Sequence, residues 1–529
     1  MPTLTADTTA RPEAPVGRAM TVVVLVAVFI CAACGLVYEL ALVTLGSYLL
    51  GSSITQTAIV ISVTMFAMGL GALFAKQWLG RPLAAFLCVE LGLALIGGFS
   101  VPLLYVAFAW LEFYTPAMVI CALLIGMLIG AEIPLLMELL QRFRAQDPAR
   151  AVANINAVDY IGALVGGLAF PFVLLPMLDL LIGTLVVAAF NVAAAWLVAL
   201  VLLRGTGERR RLVSASLACG LVAVLLGGMA WKASEFEATA RQLLYRDPII
   251  HAERSAYQDI VVTRGAVTGP EHTDVRLFLD GDLQFSSVDE YRYHEMLVHP
   301  AMSGPHARVL VLGGGDGLAL REILKYDDVD EVTLVDLDPA VVDLARSFEP
   351  ISSLNEHSFE DPRVTRIAAD AFSWVREQTG GDRRFDTIVV DFPDPDSTAI
   401  AKLYSEEFYG MLRPLMAPGG RTVVQSGSPF FAPDAFWCVR RTVAASGLST
   451  VPYHAEVPSF GDWGFVLATE EPTTLSLDDD VPDGLRFVND ATLGAATVFP
   501  PDRAERDVQV STLLDPVILE YTRSGWVGY

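Results

Sequence analysis

The sequence predicts an α-helical transmembrane bundle followed by an α/β domain, a Rossmann-like doubly wound sheet with a small antiparallel β domain ahead of it. Three observations predict this. Apolar residues dominate as far as about Trp231, after which charge, proline and glycine return. From Arg308 to about Leu467, short β-branched runs alternate with helical periodicity. Between the first two of these runs stands the glycine loop Gly313-Gly314-Gly315-Asp316-Gly317, and Asp336 follows it by about 20 residues.

In chain order, residues 1–17 are poor in large apolar side chains and read as a disordered tail. Residues 18–232 read as a membrane domain of about seven helices, near 19–49, 54–78, 83–110, 116–140, 155–178, 181–203 and 212–231, each long enough to cross a bilayer. The first apolar run is too long for a signal peptide and lacks a convincing cleavage site. Five of the six cysteines lie in these spans and Cys438 stands apart, with no disulfide or metal spacing among them.

Basic residues collect ahead of the first span (Arg11, Arg18), then at Lys76 and Arg81, at Arg142, Arg144 and Arg150, and at Arg204 and Arg209–Arg211. The positive-inside rule makes these segments cytoplasmic, and seven spans then place the C-terminal half outside. The nucleotide-binding pattern of the glycine loop and Asp336 argues instead for the cytoplasm, where nucleosides are made. The chain is thus expected in the cell membrane, with the side of its soluble half open. Glu39, Glu90, Glu132, Asp159 and Asn191 are costly in lipid and are expected to face the bundle interior. They suit either a cation site or interhelical hydrogen bonds. Runs such as 162–167 and 69–71 suit close helix packing.

Residues 245–301 alternate in short segments with an Asp280-Gly281 turn and end in a helix from about Glu290, giving the small β domain. Residues 302–470 form the α/β domain, with strands near 308–312, 331–336, 363–368, 385–391 and 420–425. Residues 471–529 are rich in Asp, Pro and Thr and are expected to cover its edge. The net charge of −24 excludes a nucleic-acid partner, since nothing basic is gathered for phosphates.

The glycine loop points to a nucleoside, and Asp316 decides which kind. Its carboxylate would repel a pyrophosphate laid on the same backbone, where NAD enzymes need bare N–H groups; it favours a nucleoside that carries positive charge. In an open α/β sheet, ligands sit beyond the carboxyl ends of the strands, where Asp316, Asp336, Asp370 and Asp391 all fall. Asp336 suits ribose hydroxyls, and Asp370 with Ala371 suits the adenine edge. Asp316 and Asp391 then flank the reacting, cationic end. Asp391 ends a buried run and Asp394 follows in a proline-bounded turn. An amine nucleophile arrives protonated, so one carboxylate can take its proton while another holds its far ammonium.

Read together, the GGGDG loop with its following LRE, YQD at Tyr257–Asp259, LDG with Gln284, DEYRYHE, and DxxDP at Asp391–Pro395 resemble the spermidine synthase (polyamine aminopropyltransferase) family over roughly Tyr245–Leu467. The apolar half, with YEL at Tyr38–Leu40, resembles its membrane-embedded members. The resemblance implies a methyltransferase-type Rossmann-like fold. It also implies transfer of an aminopropyl group from decarboxylated S-adenosylmethionine to putrescine, giving spermidine and methylthioadenosine. By the same resemblance Asp391 accepts the proton. Gln258, Asp336, Asp370, Ala371, Gly313 and Gly315 bind the nucleoside, and Tyr293, His294, Asp316 and Asp394 hold amine groups. Gln284 and Gln425 are further pocket candidates.

The expected partners are the diamine, the nucleoside, the lipid bilayer and further copies of the chain in a homodimer or homotetramer. No cofactor is expected, because the nucleoside is consumed as cosubstrate. No metal is expected either, because the remaining histidines lack ligand spacing. Two departures touch the acceptor side. Asp396-Ser397-Thr398-Ala399 replaces the usual Gly-Pro-Ala-like turn, and Val457–Phe465 lacks the tyrosine that lines the amine pocket of soluble members. Two rival readings share parts of the pattern. An S-adenosylmethionine methyltransferase shares the sheet and ribose acid but has no general need of Asp316 or the Asp391–Asp394 pair. A polyamine transporter or sensor would bind without catalysing.

Overall fold

The computed structural model describes residues 15–50, 53–111, 113–143, 148–204, 208–267, 272–478 and 481–526. The expected tail lies outside them except for its last residues, which already belong to a helix. The chain forms two compact units, Met1–Arg246 and Asp247–Tyr529.

The elements described in the first unit are helices: α1 (Pro15–Leu50), α2 (Ser53–Ala75), α3 (Pro82–Gly98), α4 (Ser100–Ala109), α5 (Tyr114–Phe143), α6 (Pro148–Ala169), α7 (Leu175–Arg204) and α8 (Arg209–Leu244). Among the described residues, five helical stretches are long and apolar enough to cross a membrane, and six if α3 and α4, bent by 41°, count as one pass. The expected single span at 83–110 is therefore broken next to Phe99, whose backbone leaves helical geometry. One of the five stretches, Val152–Arg204, contains a five-residue π turn at Phe170–Leu174 and a non-helical Asp179 (φ 56°, ψ 173°).

The last helix runs past the expected end near 231 as far as Leu244. Beyond the apolar stretch it is held by i,i+3 and i,i+4 pairs, Lys232–Glu235 at 2.6 Å and Arg241–Glu237 at 3.5 Å. The first compact unit accordingly reaches Arg246, past the boundary expected near 232. Close packing rests on fewer glycines than the sequence offers. A Cβ on Gly71 would lie 1.9 Å from the Met127 carbonyl oxygen, so α2 and α5 touch backbone to backbone there, whereas Gly69 faces open space. Glu90, Glu132 and Asn191 are buried in the bundle, and Glu39 and Asp159 partly so.

The second unit opens with a four-stranded antiparallel sheet: β1 (Ile249–Arg254), β2 (Asp259–Val267), β3 (His272–Leu279) and β4 (Asp282–Ser286). Asp280 and Gly281, both at positive φ, make the tight turn between β3 and β4. Helix α9 (Glu290–Met302) leads into β5 (Arg308–Gly313), β6 (Glu331–Asp336), β7 (Val364–Ala368), β8 (Phe385–Asp391) and β9 (Met416–Gln425). Two further strands, β10 (Ser449–Val457) and β11 (Gly461–Thr469), complete a seven-stranded sheet in the order β10-β11-β9-β8-β5-β6-β7.

The central strands are buried on both faces, which explains their unbroken Val/Leu/Ile runs. The connection leaves β5 for β6 on one side and returns to β8 on the other, so the sheet's switch point lies between β5 and β8. The C-terminal extension is tied to α9, where the Glu295 carboxylate accepts from the backbone N–H groups of Arg486, Phe487 and Val488 at 2.8, 2.8 and 3.0 Å.

Candidate active site

The carboxyl ends of β7, β6, β5 and β8 lie side by side and carry, in that spatial order, Asp370, Asp336, Asp316 and Asp391. Gln425 ends the next strand, β9. At the switch point Gly313 pairs with Asp391, and the Gly314 N–H donates to the Asp391 carbonyl at 3.3 Å. Only glycine fits at position 313: φ is +82°, and a Cβ would sit 2.1 Å from that carbonyl oxygen. A Cβ on Gly315 would lie 2.7 Å from Asp336 Oδ2, so any side chain there would displace that carboxylate. The loop closes into α10 (Leu318–Ile323), with Asp316 Oδ1 accepting from the Leu318 N–H at 2.9 Å.

Tyr293, on α9, donates its hydroxyl hydrogen to Asp391 Oδ1 across 2.5 Å. Burial, and then the negative charge of Asp316, push the Asp391 carboxyl up to about 6, although His294 and the Tyr293 bond act the other way. Asp316 is raised as well, by burial, with His294 and the Leu318 N–H partly offsetting it. Burial and the neighbouring Asp391 push the Tyr293 hydroxyl well above its ordinary range, so it stays a neutral donor.

His294 is fixed by a buried chain of charges. Its Nδ1 lies 2.8 Å from the Glu290 carbonyl oxygen and 3.0 Å from Glu290 Oε2. Both oxygens of Glu290 take the Arg321 guanidinium, at 2.9 and 2.8 Å. Arg321 also donates to Glu322 at 2.9 Å, and Glu322 meets His299 Nε2 at 2.9 Å. Burial lowers the His294 pKa, but the Glu290 bond and charge outweigh it and raise the group above an ordinary imidazole. This chain joins α9 to α10 and so holds Tyr293 and the glycine loop in one frame.

On the far side of Asp391, Gln425 Nε2 donates to Asp394 Oδ1 at 3.0 Å and to the Phe392 carbonyl at 2.9 Å. Burial, with help from Asp282 and Asp396, pushes Asp394 up to about 6, the Gln425 bond acting against it. Asp282 is also raised to about 6, by burial first and then by Asp396 and Asp280. Three acids from the β3–β4 turn and from the departing turn after Asp394 thus crowd the acceptor side.

On the nucleoside side, Asp336 is pushed up to about 6 by burial, its bond to the Asp338 N–H notwithstanding. Asp338 caps α11 (Pro339–Ser347) through Oδ1. Its other oxygen takes Gln258 Nε2 at 3.0 Å and Ser255 Oγ at 2.6 Å, which brings the Gln258 loop to the end of β6. Asp370 caps the helix Ala371–Gln378 and takes Lys402 Nζ at 2.8 Å. Burial raises Asp370, but Lys402 and Ser373 outweigh it and hold the carboxyl below its usual range.

The structure therefore brings together Gly313, Gly315, Asp316, Asp336, Asp391, Tyr293 and His294, with Asp394 and Gln425 beside them and Gln258, Asp370 and Ala371 at the other end of the row. Gln284 stands apart in its contacts, its amide turned to the Asp282 carbonyl at 3.1 Å. Sequence reasoning gave no role to Glu290, Arg321, Glu322, Asp338 or Lys402. The i,i+4 spacing of Glu290 and His294 and the Asp338-Pro339 helix start were available signals. The pairing of Arg321 with Glu290 had none, because the chain separates them by 31 positions.

A row of acids, three of them with raised pKa values, beside a loop whose Gly313 leaves the backbone bare, suits a cationic nucleoside and an amine. The Spermine/spermidine synthase domain matches residues 290–479. Polyamine aminopropyltransferase 1 of Streptomyces coelicolor is 57% identical over 519 residues, covering 97% of this chain and 96% of that protein. Polyamine aminopropyltransferase of Mycobacterium tuberculosis is 46% identical over 512 residues, 95% of this chain and 96% of that one. A crystal structure of spermidine synthase in complex with the transition state analogue AdoDATO overlays 48% of this chain and 85% of its own, with 26% identity and a TM-score of 0.42. On the full-length relatives alone, the chain belongs to the polyamine aminopropyltransferase family.

Proposed function

We propose that the protein transfers an aminopropyl group from decarboxylated S-adenosylmethionine to putrescine, releasing spermidine and methylthioadenosine. The observation that carries this reading is the 2.5 Å bond between Tyr293 and an Asp391 raised to about 6, with Asp316 beside it. A carboxylate of that pKa is ionised at neutral pH yet basic enough to take a proton from an ammonium at the moment of attack. The amine nitrogen bonds to the propyl carbon next to the sulfonium, the carbon–sulfur bond breaks, and its electron pair returns to sulfur. The proton lost by the amine passes to Asp391.

In this reading Asp336 holds the ribose hydroxyls and Gly313 and Gly315 let the nucleoside approach the backbone. Gln258 closes on the nucleoside through Asp338, and Asp370 with Ala371 meets the adenine. Asp316, His294 and Tyr293 line the amine next to the reacting carbon, while Asp394, held by Gln425, takes the far ammonium. Holding the two reactants in line contributes on the order of 7–11 kcal/mol to the barrier reduction. No cofactor is needed for this chemistry, since the sulfonium already activates the carbon.

We further read the membrane unit as seven passes. Val152–Arg204 spans 53 residues, and at about 1.5 Å per residue that far exceeds a hydrocarbon core about 30 Å thick, so its break at Asp179 separates two passes. With the basic segments inside, the catalytic unit would then emerge on the outer face, against the demand of cosubstrate supply. An impermeant thiol label on a cysteine added at the C-terminus of intact cells decides the side. A homodimer or homotetramer remains part of the proposal, to be measured by light scattering of the detergent-solubilised protein.

The experiment is incubation of the purified protein with decarboxylated S-adenosylmethionine and putrescine, cadaverine, agmatine or spermidine, reading methylthioadenosine release. Release with putrescine above the others is expected. No release with any amine, together with methyl transfer from S-adenosylmethionine, would replace this reading with the methyltransferase one. Binding of both ligands without turnover would leave a sensor or transporter.

A further inference from the structure

We propose that Cys31, Glu90 and Glu132 form a binding site for a divalent transition-metal ion of the zinc class inside the membrane unit. The spacing of these residues along the chain gives no hint of a metal. The fold assembles them from three helices, α1, α3 and α5, with Sγ and one oxygen of each carboxylate all within 4.8 Å of one another. All three side chains are buried, at 1%, 0% and 3% exposure.

The group is unsatisfied as it stands. Cys31 Sγ lies 3.1 Å from Glu90 Oε1, and the Glu90 and Glu132 carboxyls are close enough to share one proton between them, but no other donor reaches Glu90 Oε2 or Glu132 Oε1. The hydroxyl of Tyr38, fully buried two turns further along α1, has no hydrogen-bond partner, and it is close enough to couple electrostatically with Cys31, Glu90 and Glu132. Each such orphan is costly, because a buried polar atom has given up its water without gaining a partner. Residues 21–50, 82–98 and 114–141 contain neither Lys nor Arg that could answer the acids. A cation from outside supplies both the charge and the missing bonds, and Tyr38 then donates to a carboxylate oxygen that the metal leaves over.

The donor set selects the ion. A thiolate disfavours Mg²⁺ and Ca²⁺ and suits a borderline-soft ion held tetrahedrally. Bonds of about 2.3 Å to sulfur and 2.0 Å to oxygen give a ligand–ligand edge of about 3.5 Å, close to the Cys31–Glu90 separation of 3.1 Å. Binding displaces the Cys31 thiol proton and any proton on the two carboxyls.

The test uses the full-length protein in detergent, stripped with a chelator and then titrated with Co²⁺, whose bond to a thiolate gives a near-ultraviolet charge-transfer band. Equimolar Co²⁺ binding with that band, displaced by Zn²⁺ and not by Mg²⁺ or spermidine, is expected. Cys31→Ser should abolish the band, and Glu132→Gln should weaken binding by more than roughly tenfold. Methylthioadenosine release and the gel-filtration profile report whether each variant has folded. A wild-type protein that gives no band, or a band that survives in Cys31→Ser, overturns the proposal; the first of these outcomes does not depend on any variant.

Discussion

Tyr293 and Asp391 meet across the mouth of the sheet, the phenol oxygen donating its hydrogen to carboxylate Oδ1 with the two oxygens 2.5 Å apart. One residue comes from the helix ahead of the fold and the other from the last residue of β8, so the bond ties the acid's ionisation to the placement of α9. Removing the phenol oxygen takes away a donor that favours the ionised form. Tyr293→Phe should therefore raise the Asp391 pKa above about 6 and shift the acidic limb of the kcat profile to higher pH. The wild-type rate should rise with pH through about 6, because only the ionised acid can take the proton. A limb that does not move in the variant would separate Asp391 from that titration.

Burial of Asp394 has a consequence for stability. Its pKa lies at 3.8 in the ordinary state and at about 6 in the fold, so the folded protein binds the extra proton between those values. A raised folded pKa gives stability that is fully present below 3.8 and is lost as pH climbs through about 6. Asp394→Asn should then stabilise the protein without ligand at pH 7.5 by on the order of 1–3 kcal/mol, while raising KM for the amine. Calorimetric melts at pH 5 and 7.5 check this, with the difference between variant and wild type shrinking at the lower pH.

The buried charge chain should resist single deletions poorly. Arg321→Met leaves Glu290 and Glu322 without their shared partner, and a broken buried pair costs about 3–5 kcal/mol. The thermal midpoint of the variant should fall sharply, and His294, still bonded to Glu290, should titrate differently by NMR. A midpoint within a degree of wild type would mean that the chain does not fix α9.

Gly315 offers a test of the nucleoside end alone. A methyl group there meets Asp336 Oδ2 at 2.7 Å, so Gly315→Ala must push the carboxylate aside. KM for decarboxylated S-adenosylmethionine should rise by at least roughly tenfold, as one good charged hydrogen bond lost implies, with KM for putrescine little changed. Equal rises in both constants would point to general collapse of the cleft.

Much of this could be read from the chain because it depends on local pattern. The five parallel strands follow from β-branched runs, and the row of acids follows from placing each at a strand end. Strands β10 and β11 escaped because their runs contain Pro452, His454 and Gly464, which blur the alternation that marks a strand. The extension of α8 to Leu244 escaped because hydropathy detects membrane-crossing segments and not the charged turns that continue a helix beyond them. The Glu290–Arg321–Glu322–His299 chain depends on tertiary proximity between α9 and α10. The LRE and DEYRYHE motifs marked those residues without saying that they touch.

The central claim is that Asp391 takes the proton from the attacking amine. Single-turnover methylthioadenosine formation by Asp391→Asn, with nucleoside binding measured alongside by calorimetry, tests it most directly. The chemical step should fall by about 10²–10⁴-fold, with the affinity for decarboxylated S-adenosylmethionine kept within a few-fold. A variant that turns over near the wild-type rate, or one that loses the nucleoside as well, would contradict it.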